Sequence, residues 1–274
     1  RVDTSPDVIR LPSTGNSTQK EIDAALEMRL AFVETPDGDL NRRTEAGLSG
    51  LTSILRMRTS VEPADPHGVN LETDSLELYP LIYFNVPESM PPLSETAIAN
   101  LNTYLRSGGA LVIDTRAGGT IGSQTDVSRL ETLLEGLDAP PLQTVGENHV
   151  LTRSFYLLND FPGRYAQRSL WIEQAGDASA PRGDGVSRLI IGDADWASAW
   201  AVDAQGRDLY SVDGGAEQRE MSRRFGVNLV MYVLTGSYKD DQVHIPALLE
   251  RLGDGEEPDD EPVELPSRIL DGGP

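Results

Sequence analysis

One stretch limits what this chain can fold into more than any other: Arg106-Ser-Gly-Gly-Ala-Leu-Val-Ile-Asp-Thr-Arg-Ala-Gly-Gly119. A helical pattern ends at Gly108, a glycine pair turns the chain, and Ala110–Asp114 follows as a strand without polar alternation. A strand of that kind is covered on both faces, as in a parallel sheet layered between helices. The polar, glycine-rich loop that follows leaves the carboxyl end of the strand, where open α/β sheets bind ligands. There Asp114 can accept hydrogen bonds, Arg116 can pair with an anion, and Gly118-Gly119 would let backbone N–H groups approach a ligand. The competing reading is an ordinary turn, with Asp114 capping it.

The rest of the chain repeats the same alternation. Met28–Val33, Tyr79–Val86, Leu170–Glu173 and Arg188–Gly192 read as further strands. Between them come helical patterns: one running to about Arg58 with Asp39 as cap, and with Gly47 and Gly50 suited to close packing on a sheet; Ser94 to Gly108, with Ser94 as cap; and Val127–Leu137. Trp196–Ala201 reads as a short helical turn, and Ala204-Gln205-Gly206 marks a hairpin. Glu217–Thr235 is the longest helix, stopping at Gly236, and Ile245–Leu252 adds a short one. Alternating elements of this kind predict an α/β fold, a mostly parallel sheet with helices on both faces.

The ends differ from this body. Residues 1–19 are rich in Ser, Thr, Pro, Asp and Gly and read as a disordered linker. Residues 252–274 hold eight acids, one arginine and four prolines, too little apolar surface to offset the entropy of ordering. The domain is therefore expected over 20–251.

Charge and composition exclude several functions. With 23 basic and 44 acidic residues the net charge is −21, which repels phosphate backbones and argues against nucleic acid as a partner. The chain has no cysteine, so thiolate catalysis, disulfides and zinc–cysteine sites are excluded. The three histidines lack metal-ligand spacing, no Gly-x-Ser-x-Gly elbow is present, and neither a cofactor nor a metal is expected. No apolar run approaches the ~18 residues of a membrane span.

Two further segments carry candidates. His149 opens His-Val-Leu-Thr-Arg-Ser-Phe-Tyr, and imidazole titrates near neutral pH, so it is the candidate general base. Asp193-Ala-Asp195-Trp196 follows the strand at Arg188–Gly192, and is read either as a second strand-end loop with Trp196 and Trp200 as a contact surface, or as tryptophans packed beneath a loop. Arg223, Arg224 and Asn228 fall on the polar face of the long helix, a face that is usually solvated.

The pieces RLAFV (29–33), RTSVEP (58–63), GGALVIDTR (108–116), HVLTRSFYLLNDFPGRY (149–165), GDADWASAWAVDAQG (192–206) and RFGVNLVMYVLTGSYKDDQVHIPALLERLG (224–253) together resemble the bacterial domain-of-unknown-function family 4159. That family is found at the carboxyl end of membrane proteins related to the aerotolerance-regulator (Bat) type. The resemblance implies a class I glutamine-amidotransferase-like, flavodoxin-like fold near the trehalose-utilisation proteins. Catalytic relatives carry a cysteine just after the strand that ends here at Ile113. This chain has Asp114-Thr115 there, so cysteine-dependent glutamine hydrolysis is excluded. His149 is similar to the histidine opening a His-Pro segment in the trehalose-utilisation relatives, with Val150 in place of the proline.

What the resemblance implies is a non-catalytic binding or interaction domain on the periplasmic side of the bacterial inner membrane, tethered through an upstream anchor. Envelope or Bat-type membrane proteins, or a small polar ligand, are the expected partners. The expected site comprises Asp114, Thr115, Arg116, His149, Tyr156, Asp195, Trp196 and Arg224. The alternative is a hydrolase-like enzyme acting on a carbohydrate or small polar substrate, with His149 as general base and Asp114 or Asp195 as its partner.

Overall fold

A computed structural model of the chain describes residues 19–116, 130–147, 149–173 and 186–253, with side chains to Thr235. The main body ends at Ser237, and residues 238–274 form a second unit.

Seven strands make one sheet: β1 (Arg29–Val33), β2 (Ala64–Val69), β3 (Leu81–Asn85), β4 (Ala110–Asp114), β5 (Leu142–Thr144), β6 (Trp171–Glu173) and β7 (Leu189–Gly192). Their order is β2-β1-β3-β4-β7-β6-β5. The first five in that order run parallel, while β6 is antiparallel to β7 and β5 to β6. The mostly parallel α/β fold expected from the alternation is what forms. β3 and β4 are buried at every position, which explains their unbroken apolar sequence. β2, with its Ala-Asp-Pro-His-Gly-Val sequence, does not read as a strand, and proline confines it to the sheet edge where it is found.

Strand alternation divides the core in two. Leu30, Phe32, Tyr83, Ala110, Val112 and Ile190 face helices α2 (Gly38–Arg58), α4 (Trp196–Trp200) and the first part of α5 (Gly215–Gly253). Ala31, Val33, Ile82, Leu111, Ile113 and Ile191 face α1 (Gln19–Leu26), α3 (Glu95–Arg106) and the segment around Leu133. Ser94 caps α3 as its sequence predicts, accepting from Ala97 N–H at 3.2 Å. The cap of α2 is Asp37 rather than Asp39: its Oδ1 accepts from the N–H groups of Asp39 and Leu40 at 3.1 and 3.0 Å.

Gly47 and Gly50 serve a different contact from the one expected. They bring α2 onto α4, not onto the sheet: a Cβ at Gly47 would overlap the Ala197 carbonyl, and one at Gly50 the Trp200 carbonyl. Both tryptophans of α4 are fully buried, with Trp196 Nε1 donating to Phe161 O at 2.9 Å and Trp200 Nε1 to Ser222 O at 2.8 Å. The reading of these tryptophans as packing under a loop holds, and a tryptophan contact surface does not exist here.

Gly236 does not stop the last helix, which runs unbroken to Gly253. One glycine costs a helix only about 1 kcal/mol, which the residues on either side override. Residues 130–133 are helical within the stretch expected over Val127–Leu137, whose first residues lie outside the described residues, as do Gly118-Gly119 and the ends 1–18 and 254–274. No described helix is long and apolar enough to cross a membrane.

Candidate functional site

The parallel register aligns Asn85, Asp114 and Gly192 at one edge of the sheet, the carboxyl ends of β3, β4 and β7. Asp114 lies at the centre of this row and is fully buried. Its Oδ2 accepts from the Tyr83 hydroxyl at 2.5 Å and from Trp196 N–H at 2.8 Å. Its Oδ1 accepts from Arg116 N–H at 3.0 Å and Asp195 N–H at 3.3 Å. The Tyr83 oxygen in turn accepts from Ala197 N–H at 3.3 Å. Asp114 thus caps a helix, but that helix is α4, reached across the sheet from β4, and not the segment that follows Asp114 in sequence.

The same carboxylate ties together two left-handed turns. Arg116 has φ 50° and Asp195 has φ 54°, values that cost a non-glycine residue on the order of 1 kcal/mol. Arg116 follows β4 and Asp195 follows β7, and the backbone N–H of each is bonded to Asp114. Thr115, between Asp114 and Arg116, donates its N–H to Gly192 O at 2.9 Å, closing the gap between the two loops. The strained position of the β4 turn is therefore Arg116, two residues beyond Asp114.

Burial sets the electrostatics of this pair of loops. Desolvation, and then the charge of nearby Asp195, raise the Asp114 carboxyl from the ordinary carboxylate range to about 7. The Tyr83 hydroxyl is pushed up by burial and by the Asp114 charge, so it stays a donor at any physiological pH. Asp195 is itself 2% exposed; Ser198 Oγ donates to its Oδ1 at 2.7 Å, and Arg164 Nη1 stands 3.8 Å from its Oδ2. Arg168 lies equally far, 3.8 Å, from the buried Asp193, and the two arginines flank the Tyr165 ring at 5.7 and 5.8 Å.

Tyr156 and Arg224 meet elsewhere. The Arg224 guanidinium lies over the Tyr156 ring at 5.3 Å and its Nε donates to Glu220 at 3.0 Å. Glu220 is also held by Arg58 through two bonds of 2.9 and 2.8 Å, which raise the guanidinium pKa and lower that of the carboxyl. Asn228 is not on a solvated face. It is fully buried, with Oδ1 accepting from Tyr156 N–H at 2.7 Å and Nδ2 donating to the carbonyls of Leu151 and Tyr156 at 2.9 and 2.8 Å. With Ser154 Oγ donating to the Asn228 carbonyl at 2.8 Å, these bonds fix the 151–156 loop on α5.

His149 belongs to the start of that loop. Its Nδ1 accepts from Leu151 N–H at 3.2 Å, so it caps the short 3-10 helix Val150–Thr152. Its ring packs edge-on against Tyr232 at 5.5 Å, and burial lowers its pKa. The Tyr232 hydroxyl accepts from Ser187 N–H at 2.6 Å, two residues before β7 begins and so beyond the end of that strand opposite Gly192 and the Asp114 edge. The structure thus brings Asp114, Thr115, Arg116, Asp195 and Trp196 together, pairs Tyr156 with Arg224, and gives His149 neighbours shared with neither carboxylate. As a neutral imidazole accepting at Nδ1, His149 carries its proton on Nε2. A general base needs a lone pair directed at substrate, and the lone pair on Nδ1 is engaged by the backbone.

The sequence profile of one family, the domain of unknown function DUF4159, matches residues 29–234, from the first residue of β1 into α5. The chain belongs to this family. The match takes in all seven strands, α2 to α4 and the first part of α5, while α1 lies before it. No curated protein matches the chain.

Several residues that build the DUF4159 strand-end site have no mark in the sequence. Tyr83 reads as one more apolar residue of a buried strand, and only its hydroxyl shows that it carries a donor to the sheet edge. Ser198 sits inside a tryptophan-rich turn, and Arg164 and Arg168 come from a segment without regular structure. A signal was nonetheless present at Asp193 and Asp195: two carboxylates beside a buried strand require nearby donors or cations.

Proposed function

We propose that this DUF4159 domain is a non-catalytic binding or interaction module of a bacterial inner-membrane envelope protein, held on the periplasmic side by a tether outside this chain. The observation that carries the non-catalytic reading is the state of Asp114. All four of its bonds go to protein donors, so it positions the two turns and offers a substrate nothing. The absence of cysteine removes the nucleophile of the amidotransferase-like relatives, and the strained position after β4 is an arginine, which cannot replace it. The envelope placement and the amidotransferase-like ancestry rest on the resemblance of the six sequence pieces to carboxyl-terminal domains of Bat-type proteins.

On this reading Asp114, Asp195 and Trp196 hold the geometry, and the partly exposed Thr115 and Arg116 make the contact. Arg116 offers a cation to a polar ligand or to an acidic surface of a partner. The test is calorimetric titration of the domain with monosaccharides, soluble peptidoglycan fragments and the soluble domains of Bat-type proteins. Arg116→Asn removes the cation while tolerating the left-handed backbone, and is expected to abolish the binding observed with an unchanged urea midpoint. Absence of binding to every one of these, or binding indifferent to Arg116→Asn, sinks the reading.

A further inference from the structure

A buried amide beside Asp114 has an acceptor that the clamp does not use. Asn85 ends β3, and the parallel register sets it next to Asp114 at the end of β4. Strand alternation puts both side chains on the face of Tyr83 and Val112, and paired strands lie about 4.8 Å apart, so amide and carboxyl are neighbours. Both residues are buried. Asn85 Nδ2 donates to Thr44 Oγ1 on α2 at 3.0 Å, and Thr44 Oγ1 donates to Leu40 O at 2.9 Å. Among the described residues nothing donates to Asn85 Oδ1, which is itself buried. α2 packs mainly over β1 and β2, on the side of β3 away from β4. An amide that sends Nδ2 to α2 therefore turns Oδ1 toward β4 and Asp114.

With Asp114 ionised, this sets acceptor against acceptor in a site closed to water, which is destabilising. One proton on the carboxyl resolves the conflict, because its O–H becomes the missing donor. A hydrogen-bonded chain then runs from Asp114 through the Asn85 amide and Thr44 to the Leu40 carbonyl, joining β4, β3 and α2. The charges around Asp114 act in the same direction. After β7 come the buried Asp193 and Asp195, with Arg168 and Arg164 standing 3.8 Å from them. β3 contributes the Tyr83 hydroxyl, the turn after β4 the Arg116 N–H, and α4 the Trp196 N–H. Burial and the Asp195 charge hold the Asp114 carboxyl up at about 7. A protonated carboxyl has three lone pairs left for the four donors on Asp114, so one bond must yield. The longest of the four is that from Asp195 N–H, at 3.3 Å.

We propose that Asp114 and Asn85 form a proton-operated latch. With a proton taken from water, the Asp114 carboxyl donates to Asn85 Oδ1 and releases Asp195 N–H; when that proton returns to water, the carboxylate takes Asp195 N–H and the bond to Asn85 is lost. The left-handed turn at Asp195 is thus tied to Asp114 above the titration and freed from it below. The latch needs no ligand at Arg116, so failure of the binding proposal leaves it standing.

The test is NMR titration of the full chain through neutral pH with no ligand added. The Asp114 side-chain carbon is expected to titrate near 7. As pH rises, the Asn85 side-chain carbonyl carbon is expected to move upfield with the same midpoint, as it stops accepting. The Asp195 amide proton is expected to move downfield across that midpoint, by more than those of Arg116 and Trp196. Asn85→Leu removes the acceptor and should lower the Asp114 midpoint by about one pH unit, the worth of one hydrogen bond to the neutral form. An unchanged midpoint in a folded Asn85→Leu overturns the latch, and so does a raised one, which would show the amide reversed and donating to the carboxylate. Should Asn85→Leu fail to fold, the wild-type chain decides: an Asn85 carbonyl that stays fixed or moves downfield, or an Asp114 midpoint in the ordinary carboxylate range, overturns the proposal. Equal movement of the three amide protons overturns the exchange at Asp195. Persistence of these movements in Asp114→Asn would assign them to another group and overturn the latch equally.

Discussion

Replacing Asp114 with alanine tests whether one carboxylate holds the strand-end loops together. The substitution strips the acceptor from four donors: the Tyr83 hydroxyl and the N–H groups of Arg116, Asp195 and Trp196. Tyr83, Asp195 and Trp196 are buried, so three of these donors lose their partner out of reach of bulk water. Each buried unsatisfied donor costs about 1–3 kcal/mol, and the space vacated by the carboxylate admits partial rehydration. A loss of about 4 kcal/mol is expected, a large share of the roughly 5–15 kcal/mol by which a domain is stable. Equilibrium urea unfolding followed by tryptophan fluorescence measures it directly, because Trp196 and Trp200 lie in the helix that Asp114 caps. Asp114→Asn adds a test of sign. In the fold the carboxyl keeps its proton up to about 7, whereas in the unfolded chain it loses it near 4. Between those values the native state binds more protons, so the stability this group contributes is complete below about pH 4 and declines as pH rises toward 7. The asparagine variant is expected to lack that decline. An Asp114→Ala loss below about 1 kcal/mol would refute the clamp, and stability profiles of wild type and Asp114→Asn that run parallel from pH 4 to 7 would refute the raised carboxyl pKa.

Three further expectations follow from contacts elsewhere. Gly50→Ala places a Cβ on the Trp200 carbonyl and should cost about 2 kcal/mol or more in urea midpoint terms, as α2 and α4 are forced apart; a neutral result would show that the two helices separate freely. Asn228→Ala removes three bonds that hold residues 151–156 to α5, leaving Ser154 Oγ on the Asn228 carbonyl, and should cost about 3 kcal/mol, with amide hydrogen exchange faster at Leu151 and Tyr156 but unchanged in β3 and β4. Burial lowers the His149 pKa, so its contribution is complete above about 6.5 and is lost as pH falls below that value. His149→Asn keeps a side-chain acceptor for Leu151 N–H and should remove this acid sensitivity, which comparison of urea midpoints at pH 7 and 5.5 would show.

The sheet was legible because its signal is local. β4 matches its expected span residue for residue, β1, β6 and β7 each start one residue later than expected, and β3 is shorter by two residues at its start and one at its end. Each is a short apolar run bounded by turn residues, and burial on both faces is what such runs require. The elements that escaped the sequence lack that property. β2 is polar and contains proline, and it becomes a strand only because β1 offers a free edge beside it. β5 is exposed throughout and exists through its pairing with β6. Gly47 and Gly50 announced a close approach but not its partner, since α4 reaches them from more than a hundred residues away in sequence.

The site illustrates the same division more sharply. A carboxylate ending a buried strand is equally consistent with a ligand contact and with a structural cap, because both demand an acceptor at that position. What separates them is whether protein donors already fill its lone pairs, and the donors here lie 31, 81 and 82 residues away in Tyr83, Asp195 and Trp196. No local pattern around Asp114 encodes that convergence; the parallel register of β3, β4 and β7 creates it. Once made, it has a consequence for neighbouring positions. Two left-handed turns, at Arg116 and Asp195, are costly individually, and their N–H groups are bonded to a single carboxylate. Their strain is thus offset by one residue, and changing it should release both loops together. The Arg116→Asn substitution leaves the clamp whole and changes only what the loop presents, so the scaffold and the contact at this edge are separable by experiment.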